Sequence, residues 1–385
     1  MIEKIDFEKC TGCGVCAEVC PLDTLRIDPF QKEVPPCQAA CPAMVDIRGY
    51  SYFLRNRMPW EAPAVLSEFL PYPAITGRLC HHPCEGSCAR REVDEAVNIH
   101  SLERYVGDRM LKKGADRQSR IHAGKVAVAG AGPAGLAAAF FLISMGYGVT
   151  VFEKEETVGG SLRGEVGKNR QPLDILEKQI QYIGDMGVEY KTRIMVGQEF
   201  TISDFKDDLY KALLLTTGPG SKAPQGLAAG EEGMVTIDPV THETKVRGVF
   251  ACGGMVKDRM PIVKVIAMVK EAVISMDHFM RRQAGPSDKI KERRLVEKLP
   301  GQGIGVMKRQ EIDEDPSASF SGDQAHREAG RCMTCGGKAS IAHPEDCMTC
   351  FECDLRCPSG AITVHPFKEV IPCPIEYPAG GDDHV

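Results

Sequence analysis

No stretch of this 385-residue chain approaches about 18 uninterrupted apolar residues, and its N-terminus, MIEKIDFEKC, lacks an apolar core segment. A membrane span and a signal peptide are therefore not expected, and a cytoplasmic location is. A basic excess is missing too: 47 Lys and Arg against 53 Asp and Glu leave a net charge of -6. General attraction to nucleic acid or anionic membrane is excluded on that balance. The local basic patches, Arg281, Arg282 and Lys289 to Arg294, read as solvated helix faces. Also absent are a Ser/His/Asp arrangement, paired catalytic carboxylates and an open zinc site, so no substrate pocket is legible. With 43% hydrophobic residues the chain has enough apolar material for about two to three buried cores.

Cysteine, by contrast, is abundant. Seventeen are present, grouped in metal-ligand spacings that argue for reduced thiolates rather than disulfides. Cys10, Cys13, Cys16, Cys20-Pro21 and Cys347, Cys350, Cys353, Cys357-Pro358 share the spacing C-x2-C-x2-C-x3-C-P. That run ligates a [4Fe-4S] cluster, with the fourth cysteine serving the other cluster in two-cluster ferredoxins. Zinc also takes four thiolates, but the full run with its proline speaks for the cube. The likeness extends to an internal repeat, EKCTGCGVCAEVCPLDTLRIDPFQKEVPPC against EDCMTCFECDLRCPSGAITVHPFKEVIPC, ending at Cys37 and Cys373. Either the halves fold together, Cys20 joining the Cys347 run and Cys357 the Cys10 run, or each pairs elsewhere. Exposed clusters of this kind suggest an anaerobic or microaerobic setting.

The sequence divides into an α/β and α+β multidomain chain. A ferredoxin-like half occupies 1–36 and a proline-broken helical iron-sulfur domain 37–118. A Rossmann-like domain follows over 119–283, then an extended arm over 284–330 and a C-terminal ferredoxin-like segment over 331–385. In KVAVAGAGPAGLAAAFFLISMGYGVTVFEKE a strand, a glycine turn, a helix and a second strand succeed one another. Gly130 permits the turn, Gly132 lets a pyrophosphate approach, and Gly135 lets helix and sheet touch. Pro133 and Ala134 open the helix whose N-terminus stabilises phosphate, and Glu153, followed by Lys154, would accept a ribose hydroxyl.

The ordered segments VGGSLR, LLLTTG and VRGVFACGG resemble the glutamate synthase small-subunit family of FAD and iron-sulfur oxidoreductases, which includes the N-terminal part of dihydropyrimidine dehydrogenase. The resemblance covers roughly residues 37 to 335. It implies FAD on the Rossmann-like domain, with Gly160, Leu162, Arg163, Thr217, Gly218 and Gly254 added to its contacts. Two departures stand out. The family inserts an NADPH domain between the TTG-like and GVFACGG-like strands, and here the interval from Gly218 to Val249 is far too short for one. Met255 also stands where the family has an aspartate that contacts the flavin. Cys252 reads as a small buried residue, with proximity to the flavin as the alternative.

The segments PPCQAACP and GRLCHHPCEGSC resemble the family's helical iron-sulfur domain. Carried over by position, Cys41, Cys80 and Cys84 belong to one cluster, and Glu103 aligns with its fourth ligand. The alternative pairs Glu103 with Arg104 or Arg109, and His81 and His82 are rival ligands. Cys37 and Cys88 belong to a second cluster whose CxxC is missing from its usual place. Cys332 and Cys335 either supply it or go with the adjacent ferredoxin half.

The inventory implies an electron-transfer subunit of a cytoplasmic redox complex, with FAD and about three to four [4Fe-4S] clusters. A catalytic oxidoreductase subunit and ferredoxin are its expected partners. The alternatives are a self-sufficient FAD-dependent NAD(P)H:ferredoxin oxidoreductase and an iron-sulfur scaffold with an empty Rossmann domain.

Overall fold

The computed structural model describes residues 1–22, 24–28, 33–117, 124–168, 170–199, 201, 205, 210–221, 223–228, 230, 233–282, 295–296, 304–313 and 315–365. Cys373 and the basic run from Lys289 to Arg294 lie outside the described residues. The chain forms two compact units, one built from Met1–Asp28 and the segment from Gly337 onward, the other from Pro29–Gly336.

The first unit joins both ends of the chain. Strand Ile2–Ile5 pairs antiparallel with Ile362–Val364, and Leu25–Asp28 pairs antiparallel with Lys338–Ile341. Alternation decides which side is buried: Leu25 and Ile27 point into the unit while Arg26 stays exposed. Ile5, Leu25, Ile27, Ala339, Ile362 and Val364 form a small core that also holds Cys10, Cys16 and Cys353. The two cysteine loops share one backbone shape. Gly12 and Gly14 have φ of 71° and 86°, and their counterparts Thr349 and Phe351 have 51° and 63°. The left-handed turn is free for the glycines and strained for the other pair.

The second unit begins with short helices, several of them opened by a proline at the first turn, as in Pro36–Ala40, Pro73–Leu79 and Pro83–Gly86. Pro73–Leu79 lies directly against Ile99–Lys113. A Cβ on Gly107 would sit 2.1 Å from the backbone nitrogen of Ala74, and one on Gly77 would sit 2.5 Å from that of Arg104. Glycine at both positions lets the helices touch backbone to backbone. A bidentate pair from Arg78 to Asp108, at 2.8 and 2.9 Å, closes the contact.

A five-stranded parallel sheet follows, in the order Glu189–Lys191, Gly148–Phe152, Lys125–Ala129, Tyr210–Leu215, Val249–Ala251. Its central strands are continuous apolar runs because both faces are covered. Helix Pro133–Ser144 is apolar on every side for the same reason, buried along ten of its residues between sheet and flanking helices. Ile262–Met280 is the long final helix of this domain. Between Gly218 and Val249 the described residues contain no α-helix and make turns and isolated bridges such as Ile237 with Thr244. No described residue lies in a helix long and apolar enough to cross a membrane.

Candidate iron-sulfur and nucleotide sites

In the first unit the two runs exchange their last cysteines. Cys10, Cys13 and Cys16 line one cavity with Cys357, and Cys347, Cys350 and Cys353 line another with Cys20. Burial, then the neighbouring thiolates, push Cys16 up to about 12, and burial with Cys350 lifts Cys353 to about 11. The exchanged cysteines behave differently. Burial raises Cys357, but hydrogen bonds from Ser359, Ala361 and Ile362 outweigh it and hold the thiol below its ordinary value. At Cys20 burial is likewise outweighed by Leu22, Thr24 and Leu25. Each x-Pro turn therefore presents a cradle of donors to its sulfur. Ala339 adds a backbone N–H to Cys10 Sγ at 3.3 Å, in a stretch anchored by Lys338 on the carbonyl of Cys10 at 2.9 Å.

In the second unit Cys37, Cys88, Cys332 and Cys335 line a third cavity with Pro36, Ile47 and Arg48. Burial is the main cause of the upward shifts of Cys37, Cys332 and Cys335, the last reaching about 12, and mutual repulsion adds to each. Arg48 reaches over from helix Ile47–Arg55 to the carbonyl of Cys335 at 2.8 Å.

The fourth group is Cys41, Cys80, Cys84 and Glu103. Burial, then Glu103, raises the Cys84 thiol, and burial takes Cys80 up to about 12. Burial and the nearby Glu85 push Glu103 up to about 8. Among the described residues Glu103 forms no ion pair with Arg104 or Arg109. Arg104 donates to the carbonyl of Ala318, and Arg109 stacks on Trp60 at 4.1 Å. His82 stacks on His100 at 4.5 Å, and His100 bonds Glu85 at 2.7 Å.

These groups fit iron-sulfur cubes better than single zinc ions. A zinc bound tetrahedrally with Zn–S of about 2.3 Å needs sulfurs about 3.8 Å apart. Among the described residues no three cysteine sulfurs lie within 4.8 Å of one another; the one trio at that spacing is His343, Glu345 and Asp346 on the surface. Buried thiols that repel each other around a cavity accept a polynuclear cation, which relieves the repulsion.

The nucleotide motif has the expected backbone. Gly130 has φ of 97°, and a Cβ on Gly135 would lie 1.8 Å from the carbonyl oxygen of Gly130. Gly132 and Gly218 face open space, the nearest atom to a Gly132 Cβ being Gly160 Cα at 4.0 Å. Glu153 is buried and accepts from Ala131 N at 2.7 Å and Glu155 N at 3.0 Å, so it braces the glycine turn. Its carboxylate keeps lone pairs for a further donor. Arg163 bonds the carbonyl of Val158 and pairs with Glu177, Leu162 is buried, and Lys154 lies exposed beside Glu155. Thr217 donates to the sulfur of Met255 at 3.3 Å, and a Cβ on Gly254 would meet Pro219 at 2.5 Å. Cys252 is fully buried, its thiol pushed up to about 12 by burial.

Sequence reasoning missed two features. Tyr50 reads as one more apolar position of an amphipathic helix, and nothing in the pattern separates it from core. Arg331 stands beside Cys332 in EAGRCMTC as an ordinary charge, yet it is wholly buried among carboxylates.

Residues 3–26 match a 4Fe-4S binding domain, 29–115 the 4Fe-4S domain II of dihydropyrimidine dehydrogenase, and 128–195 an NAD(P)-binding Rossmann-like domain. The chain is 32% identical, over 69% of its length, to the NADP(+)-dependent formate dehydrogenase subunit beta of Moorella thermoacetica, covering 40% of that protein. It is 34% identical over 53% of its length to the NADPH-Fe(3+) oxidoreductase subunit beta of Geobacter sulfurreducens, covering 31% of it. Against the NAD-dependent dihydropyrimidine dehydrogenase subunit PreT of Escherichia coli it is 32% identical over 55% of its length, covering 52% of that protein. The chain thus spans about half or less of the length of these relatives. It is a relative of oxidoreductase subunits, carrying a 4Fe-4S domain of the dihydropyrimidine dehydrogenase domain II type joined to a Rossmann-like domain.

Proposed function

We propose that the chain is an electron-transfer subunit of a redox complex, with four [4Fe-4S] clusters on its four donor groups and FAD on its Rossmann-like domain. The observation that carries the reading is the gathering of four sets of four donors, at sulfur spacings too wide for zinc. A bound flavin exchanges electrons in pairs and an iron-sulfur cube singly, so the combination is a junction between two-electron and one-electron chemistry. The chain's own residues hold and tune these groups. The donor cradles at Cys20 and Cys357 stabilise thiolate charge, and the open backbone at Gly132 with the helix N-terminus at Pro133 receives a pyrophosphate. Glu153 receives the ribose. The catalytic partner is a separate oxidoreductase subunit, with ferredoxin as a one-electron partner and the cytoplasm as the compartment.

Anaerobic purification with native partners, followed by flavin, iron and sulfide counts, tests this. One flavin and roughly sixteen irons per chain are expected, four for each cube; four irons or fewer would overturn the proposal. The NAD(P)-binding match over 128–195 supports a second reading, a self-sufficient NAD(P)H:ferredoxin oxidoreductase. Rapid bleaching of the flavin by NADPH or NADH in the isolated chain would favour it. The contact of Thr217 with Met255 supports a third, a scaffold whose Rossmann domain is empty. It predicts no FAD in acid extracts.

A further inference from the structure

Tyr50 is among the largest side chains with no exposed surface, and its hydroxyl has no hydrogen-bond partner among the described residues. A phenol buried dry normally finds one. The orphan donor is not in an apolar corner. The charged groups that act on it are, in order, Glu103, Cys84, Cys37 and Cys332, two from each of the donor groups of the second unit. All four are acceptors when ligating, and a phenol keeps its proton at neutral pH. Tyr50 therefore stays a neutral O–H donor among acceptors. Its helix is held in register from the same side: Ile47 and Arg48 line the Cys37/Cys88/Cys332/Cys335 cavity, Arg48 bonds the carbonyl of Cys335, and Asp46 caps the first turn through Gly49 N at 2.9 Å. The buried hydroxyls of Ser51 and Ser101 also have no partner among the described residues, but a serine on a helix can turn back to its own backbone. The phenol of Tyr50 is too long and too rigid to do so.

We propose that the Tyr50 hydroxyl donates a hydrogen bond to the iron-sulfur group held by Cys41, Cys80, Cys84 and Glu103, on the side facing Cys37 and Cys332, and raises its reduction potential. The inference rests on the proposed cluster content. Hydrogen bonds to cluster sulfurs are among the terms that set such potentials, because a donor stabilises the more negative, reduced state. Tyr50 is a positioning and tuning residue, and takes no part in bond making.

The test compares the full-length wild type with Tyr50→Phe, both purified anaerobically, by iron and sulfide counts, EPR-monitored redox titration, and pulsed EPR after exchange into deuterated water. Glu103→Cys marks which signal belongs to that donor group. The expected result is an unchanged iron count in Tyr50→Phe, a shift of that one signal to lower potential, and loss of one exchangeable-proton coupling from it. Unmoved potentials, a shift that keeps the proton coupling, or loss of iron from that group would each overturn the inference, the last by making the role structural. Wild-type protein without iron would sink the proposed function and this inference together. Full wild-type iron with an unshifted Tyr50→Phe sinks the inference alone.

Discussion

At the scale of single residues, glycine divides into positions that sequence reveals and positions that it hides. Gly130 and Gly135 were legible because their constraint is local, a strand-to-helix turn with φ of 97° and a Cβ site 1.8 Å from the preceding turn. Gly77 and Gly107 were not, because their constraint comes from another helix some thirty positions away in the chain. Replacing Gly107 by Ala puts a methyl 2.1 Å from the backbone of Ala74, with no flexible side chain to move aside. A loss of about 1–3 kcal/mol is expected. Gly164 is the control. It lies inside helix Ser161–Gly167 with nothing within 4 Å of its Cβ site, so Gly164→Ala should add about 0.5–1 kcal/mol. Thermal unfolding of the anaerobic protein checks both signs, and a neutral Gly107→Ala would mean that the two helices separate at little cost. Tyr50 was illegible for another reason. Its place in the stripe with Ile47 and Leu54 is that of a core residue, and only the missing partner at its hydroxyl distinguishes it.

Among elements, the decisive contact is the one that helix Gly322–Gly330 makes through the residue just after it. Arg331 uses all five guanidinium hydrogens: on Met307 O at 3.1 Å, Ala96 O at 3.1 Å, Glu328 at 2.8 Å, Asp94 at 2.8 Å and Glu95 O at 2.7 Å. Glu328, itself wholly buried, turns its other oxygen to Gln310 N and its first also to Asn98 N. The segment 304–313, expected as part of an extended arm, is thus held by side chains from Arg90, Asp94, Asn98, Glu328 and Arg331 and joins no strand. Arg331→Met leaves Glu328 buried without a cation while Asp94 keeps its pair with Arg90, a change that costs about 3–5 kcal/mol where a buried pair is broken. Because Cys332 follows directly, iron should fall with stability. Arg331→Lys, with three donors for five acceptors, should recover little of either. Retention of full iron and stability in Arg331→Met would show that the network is dispensable. The same network sets an acid limit. Hydrogen bonds from Arg90, outweighing burial, hold the Asp94 carboxyl well below the usual carboxylate range. A depressed carboxyl adds stability above its unfolded value of about 4 and loses it as pH falls towards the folded value. Asp94→Asn should flatten the decline in stability measured below about pH 4, and an unchanged acid profile would place the sensitivity elsewhere.

At the scale of the whole chain, the repeat and the stray CxxC carry different amounts of information. The repeat was legible, with the exchange of its fourth cysteines as one of two readings, because a spacing of C-x2-C-x2-C-x3-C-P contains both the loop and the direction in which its last thiol points. The partner of Cys332 and Cys335 was legible only as one of two choices, since the cluster of Cys37 and Cys88 lacks its own CxxC while these cysteines lie close in sequence to the second run. Chain connectivity favours the second choice: Cys335 is two residues from Gly337, where the unit formed by the chain ends resumes. What overrides proximity is the anchoring of Arg331 and the reach of Arg48 to Cys335, which together turn both thiols into the cavity with Cys37 and Cys88. The double variant Cys332→Ala, Cys335→Ala separates the two groupings. If these cysteines serve the cavity of the second unit, iron falls by roughly four per chain, one signal disappears from EPR, and the pair of interacting signals expected of the exchanged runs persists. If they belong instead with the Cys347 run, that pair is disturbed while Cys37→Ala still removes a further signal. The double variant and Cys37→Ala therefore lose the same signal under the first grouping and different signals under the second.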